Sequence, residues 1–242
     1  MAVSLKNKVV LIVGASSGIG LSTVELFARD GAKVMASARR QERLLKLQTK
    51  LKGEGHAIEI MAADATKPDE MERLVAETEK QLGRIEILVF ATGTNTPDRA
   101  MSRLKVDIWD MMINVNLNSA YYVTRAVLPA MRTAREGLLI YISSISGLLA
   151  DASGASYQAA KRGLLGLAHA TRLEEKENGI RTCVVCPGMV DTELLEKRPV
   201  KPTAEALKLA MQPEDIADMV LAIAKLPPRA VVPEMQILPT YM

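Results

Sequence analysis

The sequence predicts an α/β fold: a doubly wound parallel sheet of about seven strands with helices on both faces. Three observations carry that expectation. Strand-like and helix-like patterns alternate along most of the 242 residues. The first strand segment, Val9-Val-Leu-Ile-Val13, is an unbroken aliphatic run, as expected of a strand buried on both faces of a parallel sheet. No internal repeat and no Gly/Ser-rich linker interrupts the alternation, so residues 1–242 read as one domain.

The elements follow in order. A glycine-rich turn after Val13 leads into an amphipathic helix through Asp30, closed by Gly31. Residues 33–38 form the second strand, 41–52 a helix and 57–62 the third strand. The helix 68–82 sets Met71, Leu74, Val75, Thr78 and Leu82 along one stripe, and Pro68 suits its first turn. Residues 85–90 make strand four, 107–133 a long helix, and 137–142 strand five. A second long helix, 155–178, ends at Gly179 and is followed by strand six, 180–186. A polar stretch at 193–202 precedes a helix at 214–225, and 235–238 forms the last strand. Ligands of such sheets bind beyond the carboxyl ends of the strands, which directs attention to those loops.

Bulk properties exclude several classes of function. Apolar residues make up 48% and charged residues 24%, with a net charge of +3 and no basic block, so no nucleic-acid partner is expected. No apolar run reaches the ~18 residues of a membrane span, and the first residues lack a secretory signal, so a cytoplasmic protein is expected. Cys183 and Cys186 lie three apart on a strand, where their side chains point to opposite faces. They read as buried small hydrophobes; neither a redox pair nor a metal site is expected. His56, His169 and Trp109 read as a solvent-facing turn residue, a packing or subunit-contact residue and a helix anchor on the core, respectively.

The turn Gly14-Ala-Ser16-Ser17-Gly18-Ile19-Gly20 stands between the first strand and its helix. Glycines there let backbone amides approach a pyrophosphate at the helix N-terminus. At the end of strand two, an acid would hold the ribose of NAD, whereas an arginine would fork onto the 2′-phosphate of NADP. The chain reads Ala38-Arg39-Arg40 and has no carboxylate there, which favours NADP(H). Asp64, followed by Ala65, is placed to accept from an adenine amino group, and also reads as an ordinary turn residue.

Downstream, Tyr157 and Lys161 are four apart on one helix face, thirteen positions beyond Ser143-Ser144. An ammonium beside a phenol is expected to lower the tyrosine pKa and make it a proton donor or acceptor near neutrality. Ser144 would hold a carbonyl oxygen, and Asn116, set among apolar residues of the long helix, needs a polar partner.

With these motifs assembled, the chain resembles the short-chain dehydrogenase/reductase family, of the short single-domain, Rossmann-type form, from Lys8 to about Leu238. The resemblance rests on Gly14-x-x-x-Gly18-x-Gly20, Val115-Asn116-Leu117, Ile142-Ser-Ser144, Tyr157-x-x-x-Lys161 and Cys186-Pro187-Gly188-Met189-Val190-Asp191-Thr192. It implies interconversion of a carbonyl and an alcohol on a small or medium organic substrate. Tyr157 would be the acid or base, Ser144 the carbonyl holder and Lys161 the ribose binder. Asn116 would hold a water linking Lys161 to solvent. The loop from Pro187 through Met189 and Val190 would face nicotinamide and substrate, with Thr192 on the carboxamide. Where the family reads Asn-Asn-Ala-Gly, this chain has Phe90-Ala91-Thr92-Gly93; Phe90 cannot tie strands by side-chain hydrogen bonds, while the backbone of 91–93 would still meet the adenosine ribose. A homodimer or homotetramer is implied, with contacts along 107–133 and 155–178.

The substrate lining is expected from residues 94–97, 146–150 and 189–195, which are mostly neutral or apolar and speak against a highly anionic substrate. An NAD-dependent enzyme of the same kind, and a non-catalytic dinucleotide-sensing scaffold, stand as alternatives.

Overall fold

The structure, a computed structural model, describes residues 3–241. Among these residues, seven parallel strands lie in the order β3-β2-β1-β4-β5-β6-β7. They are β1 (Val9–Val13), β2 (Lys33–Ala38), β3 (Glu59–Ala62), β4 (Ile87–Phe90), β5 (Gly137–Ile142), β6 (Ile180–Pro187) and β7 (Glu234–Ile237). The order reverses between β1 and β4, paired in register Val10 with Ile87 through Val13 with Phe90. The loops after these two strands diverge, and the crevice between them is where such a sheet takes its ligand.

Alternation along the strands builds two cores. Val10 and Ile12 join Val34, Val89, Ile140 and Val185 on one face, against α1 (Gly18–Arg29), α2 (Gln41–Gly53) and α8 (Pro213–Ala224). Leu11, Met35, Leu88, Leu139 and Val184 turn to the other, against α3 (Pro68–Leu82), α5 (Ser119–Ala134) and α6 (Ala155–Glu175). Both faces are covered, so an aliphatic run rather than an alternating one is what the sequence needs at each strand. Full burial of Phe27 of α1 alone stabilises by about 1.5–3 kcal/mol. Cys183 belongs to the first core and Cys186 to the second, and burial pushes both thiols up to about 12. Their divergence on a strand is as the sequence predicts.

Four expectations are corrected. The helix expected over 107–133 is α4 (Val106–Ile113), a π-helical turn (Asn114–Asn118) and then α5. Hydrophobic periodicity does not register the single extra residue of a π turn. The polar stretch 193–202 opens on a 3-10 turn (Glu193–Lys197), and α7 (Ala204–Lys208) follows it, where the Thr203 hydroxyl caps the amide of Ala206 at 3.2 Å. Both are too short to show a period. Strands β3 and β4 each start two residues later than the patterns suggest. Trp109 is half-buried and stands outside both cores.

Candidate active site

The cleft beyond β1, β4, β5 and β6 has a volume of about 400 Å³. At its floor the turn after β1 lies directly on the end of β4. Gly14 has φ +98°, and a Cβ on it would fall 2.6 Å from the Ala91 carbonyl carbon and 2.7 Å from the Thr92 amide. Only glycine fits, and the bare backbone there forms a cradle at the start of α1 that suits a pyrophosphate. Ser16, Ser17, Gly18 and Ile19 line this end together with Arg39, Arg40, Asp64 and Ala65. Gly20 does not line the cleft: a Cβ on it would meet the Gly14 carbonyl oxygen at 2.3 Å, so it serves to seat α1 on the turn.

The two arginines differ. Arg40 is committed within the protein: Nε and Nη2 donate to Ser16 Oγ at 3.1 and 3.0 Å, Nη2 also to Ser17 Oγ at 2.8 Å, and Nη1 to Glu193 at 2.9 Å. Arg39 is exposed on the rim, with no ion pair among the described residues. Asp64 is a turn residue, accepting from the Thr66 amide at 3.0 Å and hydroxyl at 2.8 Å; these bonds, with Arg39 and Lys67 nearby, outweigh burial and hold its carboxyl below the usual range.

At the other end, Tyr157 and Lys161 rise from one face of α6, with the lysine Nζ 5.7 Å from the phenol ring centroid. Nζ donates to the Ile142 carbonyl at 3.0 Å, and the Ser143 hydroxyl donates to the Lys161 carbonyl at 3.0 Å, which ties α6 to the end of β5. Tyr157 is 6% exposed and Lys161 3%. Burial dominates both: it raises the phenol to about 12, against the pull of the Ser144 side chain, and drops the amine to about 8. The expected lowering of the tyrosine by Lys161 is therefore overturned. Desolvation, reinforced by the charge of Asp151, outweighs the Ser144 side chain and the charges of Arg198 and Arg99.

Ser144 Oγ accepts from the Ser146 amide and donates to Ser146 Oγ, both at 3.2 Å, and Ser146 in turn donates to Asp151 at 2.6 Å. Asn116 is fully buried at the middle of the π turn and lies behind the cleft wall rather than on it. Its Oδ1 accepts from the Thr94 amide at 2.9 Å, and its Nδ2 donates to the Met112 carbonyl at 2.9 Å. Its side chain thus fixes the loop after β4. Gly93 of that loop is close-set too, since a Cβ would lie 3.3 Å from Asn116 Oδ1 and 3.4 Å from Lys161 Nζ. Phe90 takes no part, being fully buried in the second core. Ala91, Thr92, Gly93, Pro187, Gly188, Met189, Val190 and Thr192 complete the lining.

The substrate end departs from expectation. Ser146 and 189–195 line it, except Asp191, while 147–150 do not, and Pro97 borders a neighbouring depression. Three cations that the loop sequences do not advertise, Arg99, Lys197 and Arg198, line it as well, with Asp151 and Ser153. The lining is otherwise mostly neutral, as expected, but the three cations were not foreseen. No group of His, Cys, Asp and Glu suited to a metal ion occurs among the described residues, and none of their helices is long and apolar enough to cross a membrane. His169 bonds Glu234 at 3.2 Å, away from the cleft.

Comparison with known proteins points the same way. The profile of the short chain dehydrogenase family matches residues 8–202. The chain is 38% identical over 221 residues to an uncharacterized oxidoreductase of Staphylococcus saprophyticus, covering 88% of each. It is 34% identical over 225 residues to a 3-oxoacyl-(acyl-carrier-protein) reductase of Thermotoga maritima, covering 91% of each. Among solved structures, the closed form of a serine dehydrogenase with NADP+ superposes with a TM-score of 0.89 at 29% identity, over 97% of this chain and 96% of that one. An actinorhodin polyketide ketoreductase with NADPH gives 0.89 at 27% identity, over 99% and 98%.

Proposed function

From the premise that this chain belongs to the short-chain dehydrogenase/reductase family, we propose that it is an NADP(H)-dependent oxidoreductase interconverting a carbonyl and an alcohol on a small or medium organic substrate. The observation that carries the reading is one cleft holding the Gly14 cradle at one end and Tyr157, Ser144 and Lys161 at the other. The dinucleotide, when bound, supplies or accepts the hydride. Ser16 through Ile19 and the 91–93 loop hold its adenosine and pyrophosphate, and Thr192 its carboxamide. Arg39, without an ion pair among the described residues, takes the 2′-phosphate, in keeping with the NADP+ and NADPH of the solved relatives.

The chain's own residues move the proton. Ser144 holds the carbonyl oxygen against the Tyr157 hydroxyl. With the phenol at about 12, it is protonated at neutral pH, the state that reduction requires of a general acid. Oxidation requires the phenolate and so gains with rising pH. Lys161 holds the ribose and the Ile142 carbonyl together, which aligns the cofactor with Tyr157. The exposed Val106, Met111, Tyr121 and Leu173 on α4, α5 and α6 fit the contacts of a homodimer or homotetramer.

The test is NADPH oxidation with a panel of aldehydes, ketones and diketones, using wild type and Tyr157→Phe. Turnover by wild type, lost by about 10²-fold or more in the variant while NADPH still binds, is expected. NADPH binding with no turnover of any carbonyl would instead favour a dinucleotide sensor.

A further inference from the structure

Arg99 is an anomaly at the substrate end of the cleft. It is only 8% exposed, its Nε has no hydrogen-bond partner, and its other nitrogens reach only backbone carbonyls, Ser153 at 3.4 Å and Lys197 at 3.0 Å. An arginine this buried ordinarily sits on a carboxylate, because an unpaired guanidinium costs several kcal/mol to desolvate. No such pair exists here among the described residues.

Its neighbours deepen the imbalance. Lys197 donates to Thr94 Oγ1 at 2.6 Å, and Arg198 has only the Met189 sulfur, at 3.7 Å; neither is paired with an acid among the described residues. Burial, with the like charge of the exposed Arg198 nearby, depresses the Arg99 pKa. The one carboxylate nearby, Asp151, is engaged by the hydroxyl of Ser146 and by the amide and hydroxyl of Ser153. The other acids on the cleft wall are elsewhere: Glu193 is held by Arg40 and Arg43, and Asp64 lies at the opposite end. Three cations thus face one carboxylate, Asp151, whose charge offsets part of theirs without an ion pair, beside the phenol that would protonate the substrate. The cofactor phosphates do not answer this charge, since their cradle is the Gly14 turn at the far end.

We propose that the substrate of this site is an anion, a keto acid or hydroxy acid whose own carboxylate is bound by Arg99 and Arg198, with Lys197 adding charge at the rim. The assignment rests on the carbonyl–alcohol reading above. Arg99 supplies a planar fork of donors whose approach is fixed by its packing against Gly154, where a Cβ would lie 2.7 Å from that of Arg99. Arg198, exposed at the end of the 193–197 turn, lines the same end of the cleft and adds a second guanidinium. Selectivity for the acid over its ester follows from the cost of leaving these charges unpaired.

The experiment uses the full chain with NADPH and three pairs of probes that vary the distance from carbonyl to carboxylate: 2-oxobutanoate, 3-oxobutanoate and 4-oxopentanoate, each beside its methyl ester. At least one acid is expected to exceed its ester tenfold or more in kcat/KM. That ratio is expected to fall tenfold or more in Arg198→Met, a surface change, and in Arg99→Met, whose fold is checked by its thermal midpoint. Ester turnover with acid-to-ester ratios near one throughout, or ratios that neither variant alters, would overturn the proposal and leave the carbonyl–alcohol reading intact. If no probe turns over, calorimetry of butanoate and butanamide with the NADPH complex decides the charge assignment alone. Butanoate binding that Arg198→Met weakens tenfold supports it; equal binding of acid and amide, or none, refutes it.

Discussion

Lys161 offers a test of the site's electrostatics that needs no substrate. Burial takes its pKa from an ordinary 10.5 to about 8. At about 1.4 kcal/mol per pH unit, holding the amine charged in the folded state costs about 3 kcal/mol at neutral pH. The sign follows from linkage: a lysine depressed on folding carries its full penalty below pH 8 and sheds it as pH rises toward 10.5. By pH 9.5 about 2 kcal/mol of it is relieved. Lys161→Met keeps the aliphatic stem and removes the charge, but also the bond to the Ile142 carbonyl, worth about 1 kcal/mol. The variant is therefore expected to be more stable than wild type by about 2 kcal/mol at pH 7 and by little at pH 9.5, while losing turnover. Urea denaturation of both proteins at the two pH values, without cofactor, measures the difference. A wild-type-to-variant gap that is the same at both pH values would show that the amine titrates near its ordinary value, and the account of the site as desolvated would fail.

Two further outcomes follow from single residues. Arg39→Ala is expected to lower the preference for NADPH over NADH by ~10–100-fold, the worth of a charge-assisted fork onto a phosphate; an unchanged ratio in steady-state kinetics would remove Arg39 from that role. Phe90→Asn, which installs the residue usual in the family, replaces a fully buried ring in β4 with an amide in an apolar core. A cost of about 3–5 kcal/mol is expected, or a melting temperature lower by about 6–20 °C. A shift within two or three degrees (~1 kcal/mol) would mean that the amide finds partners in neighbouring strands and that the ring contributes little.

What was legible in the sequence was whatever a regular element displays at fixed spacing. The strand runs gave the sheet, and Tyr157 and Lys161 could be paired because four residues on a helix bring two side chains to one face. Arg99 and Lys197 meet across 98 positions, from two irregular segments with no period to align them, so nothing in the sequence joins them. The direction of the tyrosine pKa failed for a related reason. Spacing shows that an amine stands near a phenol, but whether attraction or desolvation wins depends on burial, which no local pattern encodes. Here burial wins on both partners: it favours the neutral phenol and lowers the amine to about 8. The charges acting on Tyr157 come from the substrate end: Asp151 disfavours the phenolate, while Arg198 and Arg99 favour it. A ligand that neutralised those arginines would withdraw their stabilisation of the phenolate and hold the hydroxyl in its protonated form, so an anionic substrate and an acid catalyst for its reduction are mutually consistent demands on one site.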